Sequence, residues 1–144
     1  MVAFADTGFI ASLYLQESTS AQARAAIQAA PVVLPLTPLI LLELRNAFNR
    51  SVQRQRITAA QRDLLWQDVE ADIASGFLAP TPLDSEELHK KARQLSDRHT
   101  PTLGTRSLDL LHVAAALTLG AKEFFSFDDR QRKAAASEAL KVKP

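Results

Sequence analysis

"SLDLLHVAAALTLGAKEFFSFDDR", residues 107–130, decides how this chain is built. Residues 107–119 read as a largely apolar, buried helix that Gly120 stops. "KEFFSF" (122–127) then reads as a short strand, followed by Asp128 and Asp129 and a short helix over 129–139. A buried helix feeding a strand that feeds another helix is the repeating logic of an α/β fold with parallel strands. The same stretch poses a chemical question. Asp109 lies in the first turn of the apolar helix, and an unpaired buried carboxylate is costly.

Outward from this unit, the alternation continues. "VAFA" (2–5) reads as a strand, and 8–17 as a helix with Phe9, Ile10, Leu13 and Tyr14 on its apolar side. A helical stretch over 19–29 precedes the strand-like "PVVLPL" (31–36). "TPLILLELRNAF" opens with Thr37 as N-cap and Pro38 at the first helical position, a strong helix start. Residues 59–75 read as a helix, "GFLAP" (76–80) as a strand, and 84–98 as a helix opened by Asp84 and Glu87 at capping-box spacing. "HTPTLGTR" (99–106) reads as a loop, and "LKVK" (140–143) as an edge strand. Without repeat, linker or low-complexity tract, this predicts one α/β domain over residues 1–144, its mainly parallel sheet covered on both faces.

Composition excludes several function classes. Of 144 residues, 47 % are hydrophobic and 23 % charged, which is globular rather than disordered. No apolar run nears the roughly 20 residues of a membrane span, and the start lacks a signal-peptide pattern. With no cysteine, disulfides and thiolate metal sites are out. A cytoplasmic protein without membrane attachment is expected. The net charge of +1 favours no partner, but its distribution does: from Arg45 to Arg62 there are five arginines and no acid. Such a run is either a solvated helix end or a phosphate-contacting edge, with Arg45, Arg50 and Arg54 as the candidate nucleic-acid contacts.

The acids fall in a pattern. In a parallel α/β sheet, ligands bind beyond the carboxyl ends of the strands. Asp6 follows the first strand, Asp128 and Asp129 follow "FFSF", and Asp109 opens its helix behind a possible Ser107 cap. Any one of them could be only a helix cap. Glu43 is different. Counted from Pro38 it is past capping range, and its neighbours Leu39, Ile40 and Ala47 form an apolar stripe that continues into Arg50 and Arg54. A glutamate there suits a site better than a core.

Four carboxylates at close range need a compensating charge. Oxygen donors without cysteine favour a hard ion, Mg²⁺ or Mn²⁺. Acids around such an ion, with arginines alongside, point to phosphodiester hydrolysis. Asp109 is then a metal ligand whose burial the ion makes tolerable. His112, one turn further on, is a weaker candidate for a general base. Trp66 and Phe48 are read as packing residues more readily than as base-stacking platforms.

"FADTGFI", "LLELRNAF", "RSLDLLHVAAAL" and "FFSFDDR" together resemble the signatures of PIN-domain nucleases. Their order and spacing are similar to those of small VapC-like toxins of type II toxin–antitoxin systems, over essentially the whole chain. The resemblance implies a three-layer α/β/α fold and Mg²⁺- or Mn²⁺-dependent endoribonuclease activity. It also implies a homodimer and a cognate antitoxin that inhibits it. Carried over by motif, Asp6, Glu43, Asp109 and Asp128 are the acidic quartet, Asp6 and Asp109 the firmest ligands, with Thr7 and Ser126 in support. Gly8 departs from a common serine, and Asp129 leaves the fourth acid ambiguous by one position. Two further readings are a PIN nuclease of RNA processing without an antitoxin, and a non-catalytic PIN-like module that binds RNA or protein. An aspartyl-phosphate receiver fits poorly, given the helical insert after the first acid and the place of Glu43.

Overall fold

Hydrophobic three-residue strands organise the molecule. The computed structural model describes residues 2–144. In chain order the elements are β1 (Ala3–Ala5), α1 (Thr7–Tyr14), α2 (Ser20–Ala29), β2 (Leu34–Leu36), α3 (Pro38–Gln53) and α4 (Ala59–Ser75). These are followed by β3 (Leu78–Pro80), α5 (Ser85–Leu103), α6 (Ser107–Thr118), β4 (Glu123–Phe125), α7 (Asp129–Ser137) and β5 (Lys141–Lys143).

Every strand pairing is parallel: β1 with β4, β4 with β5, and β2 with β3. β2 also runs beside β1, so the strands form a central layer. α1 packs on α2 and α3, and α3 on α4; α5, α6 and α7 pack on one another, which gives a three-layer α/β/α arrangement. All residues of β1 and β4 are buried, as expected for strands covered on both faces. Phe4 stacks on Phe124 with ring centroids 5.8 Å apart, and Phe9 meets Phe125 at 5.1 Å. Leu34, Leu36, Ile40, Leu44, Phe48 and Leu95 are fully buried in the same core. Each such side chain contributes about 1.5–3 kcal/mol on burial.

The helix starts follow local chemistry. Thr37 Oγ1 accepts the Ile40 N–H ahead of a first-position proline, and Asp84 caps α5 through the Glu87 N–H. The sequence misplaces one boundary. Residues 99–103, read as loop, continue α5 through Pro101 to a left-handed Gly104 cap. A tertiary contact and a local one outweigh the proline there: buried His99 bonds Glu138 Oε2 at 2.7 Å, and the Thr100 and Thr105 hydroxyls meet at 2.7 Å. The other elements lie where predicted, most of them trimmed by up to three residues at an end, while α3 runs on past "TPLILLELRNAF" to Gln53. "LKVK" does form the edge strand β5. No helix among the described residues is long and apolar enough to cross a membrane.

Candidate active site

The site begins where the ladder of the sheet ends. Ala5 pairs with Phe125, and one step beyond them the Asp6 N–H donates to the Phe125 carbonyl at 3.1 Å. This continues the register so that Asp6 and Ser126 lie side by side at the carboxyl edge. Ser126 Oγ donates to Asp6 Oδ2 at 2.5 Å and accepts the Asp128 N–H at 3.1 Å. Arg132 fastens this edge by donating to the carbonyls of Ser126 and Lys143.

Asp6, a candidate site residue, is also the cap of α1. Its Oδ1 accepts the Phe9 N–H at 2.7 Å, and it is only 5 % exposed. Burial pushes its carboxyl above the ordinary value of 3.8; the Ser126 hydroxyl and the Phe9 N–H oppose the rise, and the charge of Asp128 adds to it. A Cβ on Gly8 would stand 3.7 Å from Asp6 Oδ1, an ordinary contact, so the departure from serine there costs the acid nothing sterically.

Glu43 stands in the second turn of α3 and is not a cap. Its Oε1 accepts from Thr7 Oγ1 at 2.8 Å and from His112 Nε2 at 2.6 Å. Burial acts to raise its pKa, but the hydrogen bond and charge of His112, with the Thr7 hydroxyl, outweigh it and hold the carboxyl below the ordinary value of 4.5. His112 is therefore committed: its Nε2–H faces a carboxylate, while Nδ1 is buried without a partner.

Asp109 answers the question its helix raised. Arg106 rather than Ser107 is the N-cap residue of α6, and it makes no side-chain cap hydrogen bond. The carboxylate of Asp109 instead accepts from Gln131 Nε2 at 3.1 Å on Oδ1 and from Arg106 Nε at 3.4 Å on Oδ2. Asp128 caps α7 by accepting the Gln131 N–H at 2.9 Å on Oδ1, and its Oδ2 lies 3.9 Å from the Arg106 guanidinium. Asp129 is exposed in the first turn of α7. The inner oxygens of Asp109 and Asp128 are thus both held by Gln131, and the outer oxygens of both face one cation.

Among the described residues, no three His, Cys, Asp or Glu side chains stand close enough to hold a single ion as they are placed. Both oxygens of Asp6 and Asp109, Oε1 of Glu43 and Oδ1 of Asp128 already accept from protein donors. The donor set nonetheless fits a hard cation. The acids supply oxygen only, and an exposed guanidinium already stands against the outer oxygens of Asp109 and Asp128.

A match over most of the sequence decides the family. The sequence pattern described as the PIN domain matches residues 3–137. The chain belongs to the PIN domain family. Solved structures agree with this PIN fold. VapC20 of Mycobacterium tuberculosis, described as a toxin that cleaves the sarcin–ricin loop, superposes with a TM-score of 0.70 at 20 % identity, covering 99 % of both chains. FitAcB of Neisseria gonorrhoeae gives 0.70 at 16 % identity, covering 99 % of this chain and 96 % of that one. A toxin–antitoxin complex of Klebsiella pneumoniae gives 0.58 at 15 % identity, covering 88 % and 86 %. A comparison with curated protein sequences gave no match.

The remaining residues that the sequence singled out separate into two groups. Arg50 and Arg54 are exposed towards the end of α3. Arg45 is half-buried, with its guanidinium 4.9 Å from the centre of the Trp66 ring, which in turn meets Phe48 edge-on at 6.0 Å. Phe48 is fully buried and has no face to offer a base. Sequence reading missed Arg106 and Gln131. Their only signal was position, three residues before Asp109 and three after Asp128.

Proposed function

We propose that this PIN protein is a divalent-metal-dependent endoribonuclease that hydrolyses RNA phosphodiester bonds as the toxin of a toxin–antitoxin pair. One observation carries the reading. In a PIN fold, Ser126 holds Asp6 at the sheet edge, Gln131 joins Asp109 to Asp128, and Thr7 and His112 hold Glu43. Asp6, Glu43, Asp109 and Asp128 would hold Mg²⁺ or Mn²⁺. Such an ion, when bound, supplies Lewis-acid activation of water and of the phosphodiester.

The chain's own residues prepare the site. His112 and Thr7 keep Glu43 ionised, and Ser126 fixes the orientation of Asp6. Arg106, 70 % exposed and loosely paired, is free to turn to a phosphate, where a guanidinium gives a strong charge-assisted contact. Arg50 and Arg54 extend the cationic track along α3. The role as a toxin is supported by the toxin and toxin–antitoxin neighbours in fold. A cytoplasmic location follows from an RNA target. Exposed Leu42, Leu64 and Leu108 offer apolar surface for an antitoxin or a second copy.

The test is cleavage of a mixed RNA pool by purified protein with Mg²⁺, with Mn²⁺ and with chelator, beside Asp6→Asn. The expected outcome is cleavage that requires metal and disappears in Asp6→Asn. Cleavage that survives chelation, or the loss of Asp6, sinks the metal mechanism. A short DNA-binding protein encoded next to this one would support the toxin role over RNA processing.

A further inference from the structure

Gln131 is 2 % exposed, and its Oε1 is buried without a hydrogen-bond partner. Leaving such a carbonyl unpaired costs stability, so its retention calls for a reason.

Its position shows what it has given up. Asp128 and Gln131 have capping-box spacing, in which the third-residue amide reaches back to the N–H of the cap. The same chain completes that motif at Thr58 and Gln61: Gln61 Oε1 accepts the Thr58 N–H at 2.8 Å, and Thr58 Oγ1 accepts the Gln61 N–H at 3.1 Å. At α7 only half of it forms. The Gln131 N–H donates to Asp128, but the Asp128 N–H donates to Ser126 Oγ instead. The Gln131 side chain is thereby released and turns to α6, where Nε2 donates to Asp109 Oδ1. One residue then holds the inner oxygens of two acids on different helices, and the outer oxygens of both are left facing the same cationic group.

We propose that Gln131 is a positioning residue of the acidic site: its amide N–H orients Asp109 against Asp128 so that both present their outer oxygens to a divalent cation. This inference rests on the metal-binding reading above. Hydrogen-bond partners of ligating carboxylates set metal affinity, and their loss lowers it about 10–100-fold. A residue kept only for packing behaves differently: its replacement changes stability and leaves metal affinity as it was. Replacing Gln131 with an apolar side chain removes an unpaired buried carbonyl but also takes the amide donor from Asp109 Oδ1, and these two effects on stability oppose each other.

The experiment compares wild type with Gln131→Met in two measurements: thermal unfolding without metal, and Mn²⁺ binding followed by the electron paramagnetic resonance signal of the free ion. The expected result is a melting temperature close to that of wild type, with Mn²⁺ binding weakened about tenfold or more. Unchanged Mn²⁺ affinity in a folded variant overturns the proposal. Should Gln131→Met fail to fold, the comparison is read on Gln131→Leu, and failure of both makes Gln131 a core residue and overturns it too. Absence of Mn²⁺ binding by wild type is a separate result, which overturns the metal reading itself and takes this inference with it.

Discussion

Glu43 shows how much one side chain can carry at this site. It sits beyond capping range, on a stripe that is otherwise mostly apolar, and is held ionised by His112 and Thr7. A carboxyl whose folded pKa lies below its unfolded value contributes stability that is present above the unfolded value, 4.5, and lost as pH falls through the lower folded one. Glu43→Gln lacks that contribution. The stability gap between wild type and Glu43→Gln is therefore expected to shrink as pH drops below 4.5; urea midpoints across that range would show it. A gap that widens towards acid contradicts the assignment. The sequence made Glu43 and the edge acids legible because they break a pattern: charge on an apolar stripe, or charge just after a strand. Gln131 and Arg106 break none. A glutamine near a helix start and an arginine before one are ordinary surface choices, and only the approach of α7 to α6 gives them their roles.

Elements were legible where local and tertiary preferences agree. α3 begins at Thr37 and Pro38 because cap, proline and apolar stripe all point the same way. α5 disagreed, since Pro101 argues locally for an end that His99 and Thr100 override through contacts with Glu138 and Thr105. The tie between α1 and α4 could not be read at all, because it joins residues 14 and 72. Tyr14 donates to Asp72 Oδ2 at 2.5 Å, and burial, together with that carboxylate, raises the phenol far above its ordinary value of 10.0. Tyr14 thus stays a donor at any working pH. Tyr14→Phe deletes one hydroxyl and strands a half-buried acid, for an expected loss of about 1.5–3 kcal/mol, measurable as a lower denaturant midpoint with unchanged slope. A neutral outcome would mean that Asp72 finds water instead.

For the molecule as a whole, a net charge of +1 conceals an ordered gradient. α3 starts beside the acids and ends among exposed arginines, with Glu43, Arg50 and Arg54 close to one face. At about 1.5 Å of rise per residue, Arg50 lies about 10 Å and Arg54 about 16 Å along the axis from Glu43. An RNA strand whose scissile phosphate lies at the carboxylates would bring its neighbouring phosphates past these arginines. Arg45, on the same helix, is spent on Trp66 and half-buried. Charge counting therefore misjudges it, and the salt dependence of binding separates the three. Each phosphate contact with single-stranded RNA contributes about 0.7 to the slope of log affinity against log salt. Arg50→Ala with Arg54→Ala is expected to flatten that slope by about 1.4, the sum of two such contacts. Arg45→Ala should leave the slope near that of wild type and instead loosen the packing of α3 on α4. Fluorescence anisotropy of a labelled single-stranded RNA, titrated under chelation so that it stays whole, reads both. An unchanged slope in the double variant would move the RNA path off α3, and Arg106 would then be left as the cation that meets the substrate at the sheet edge.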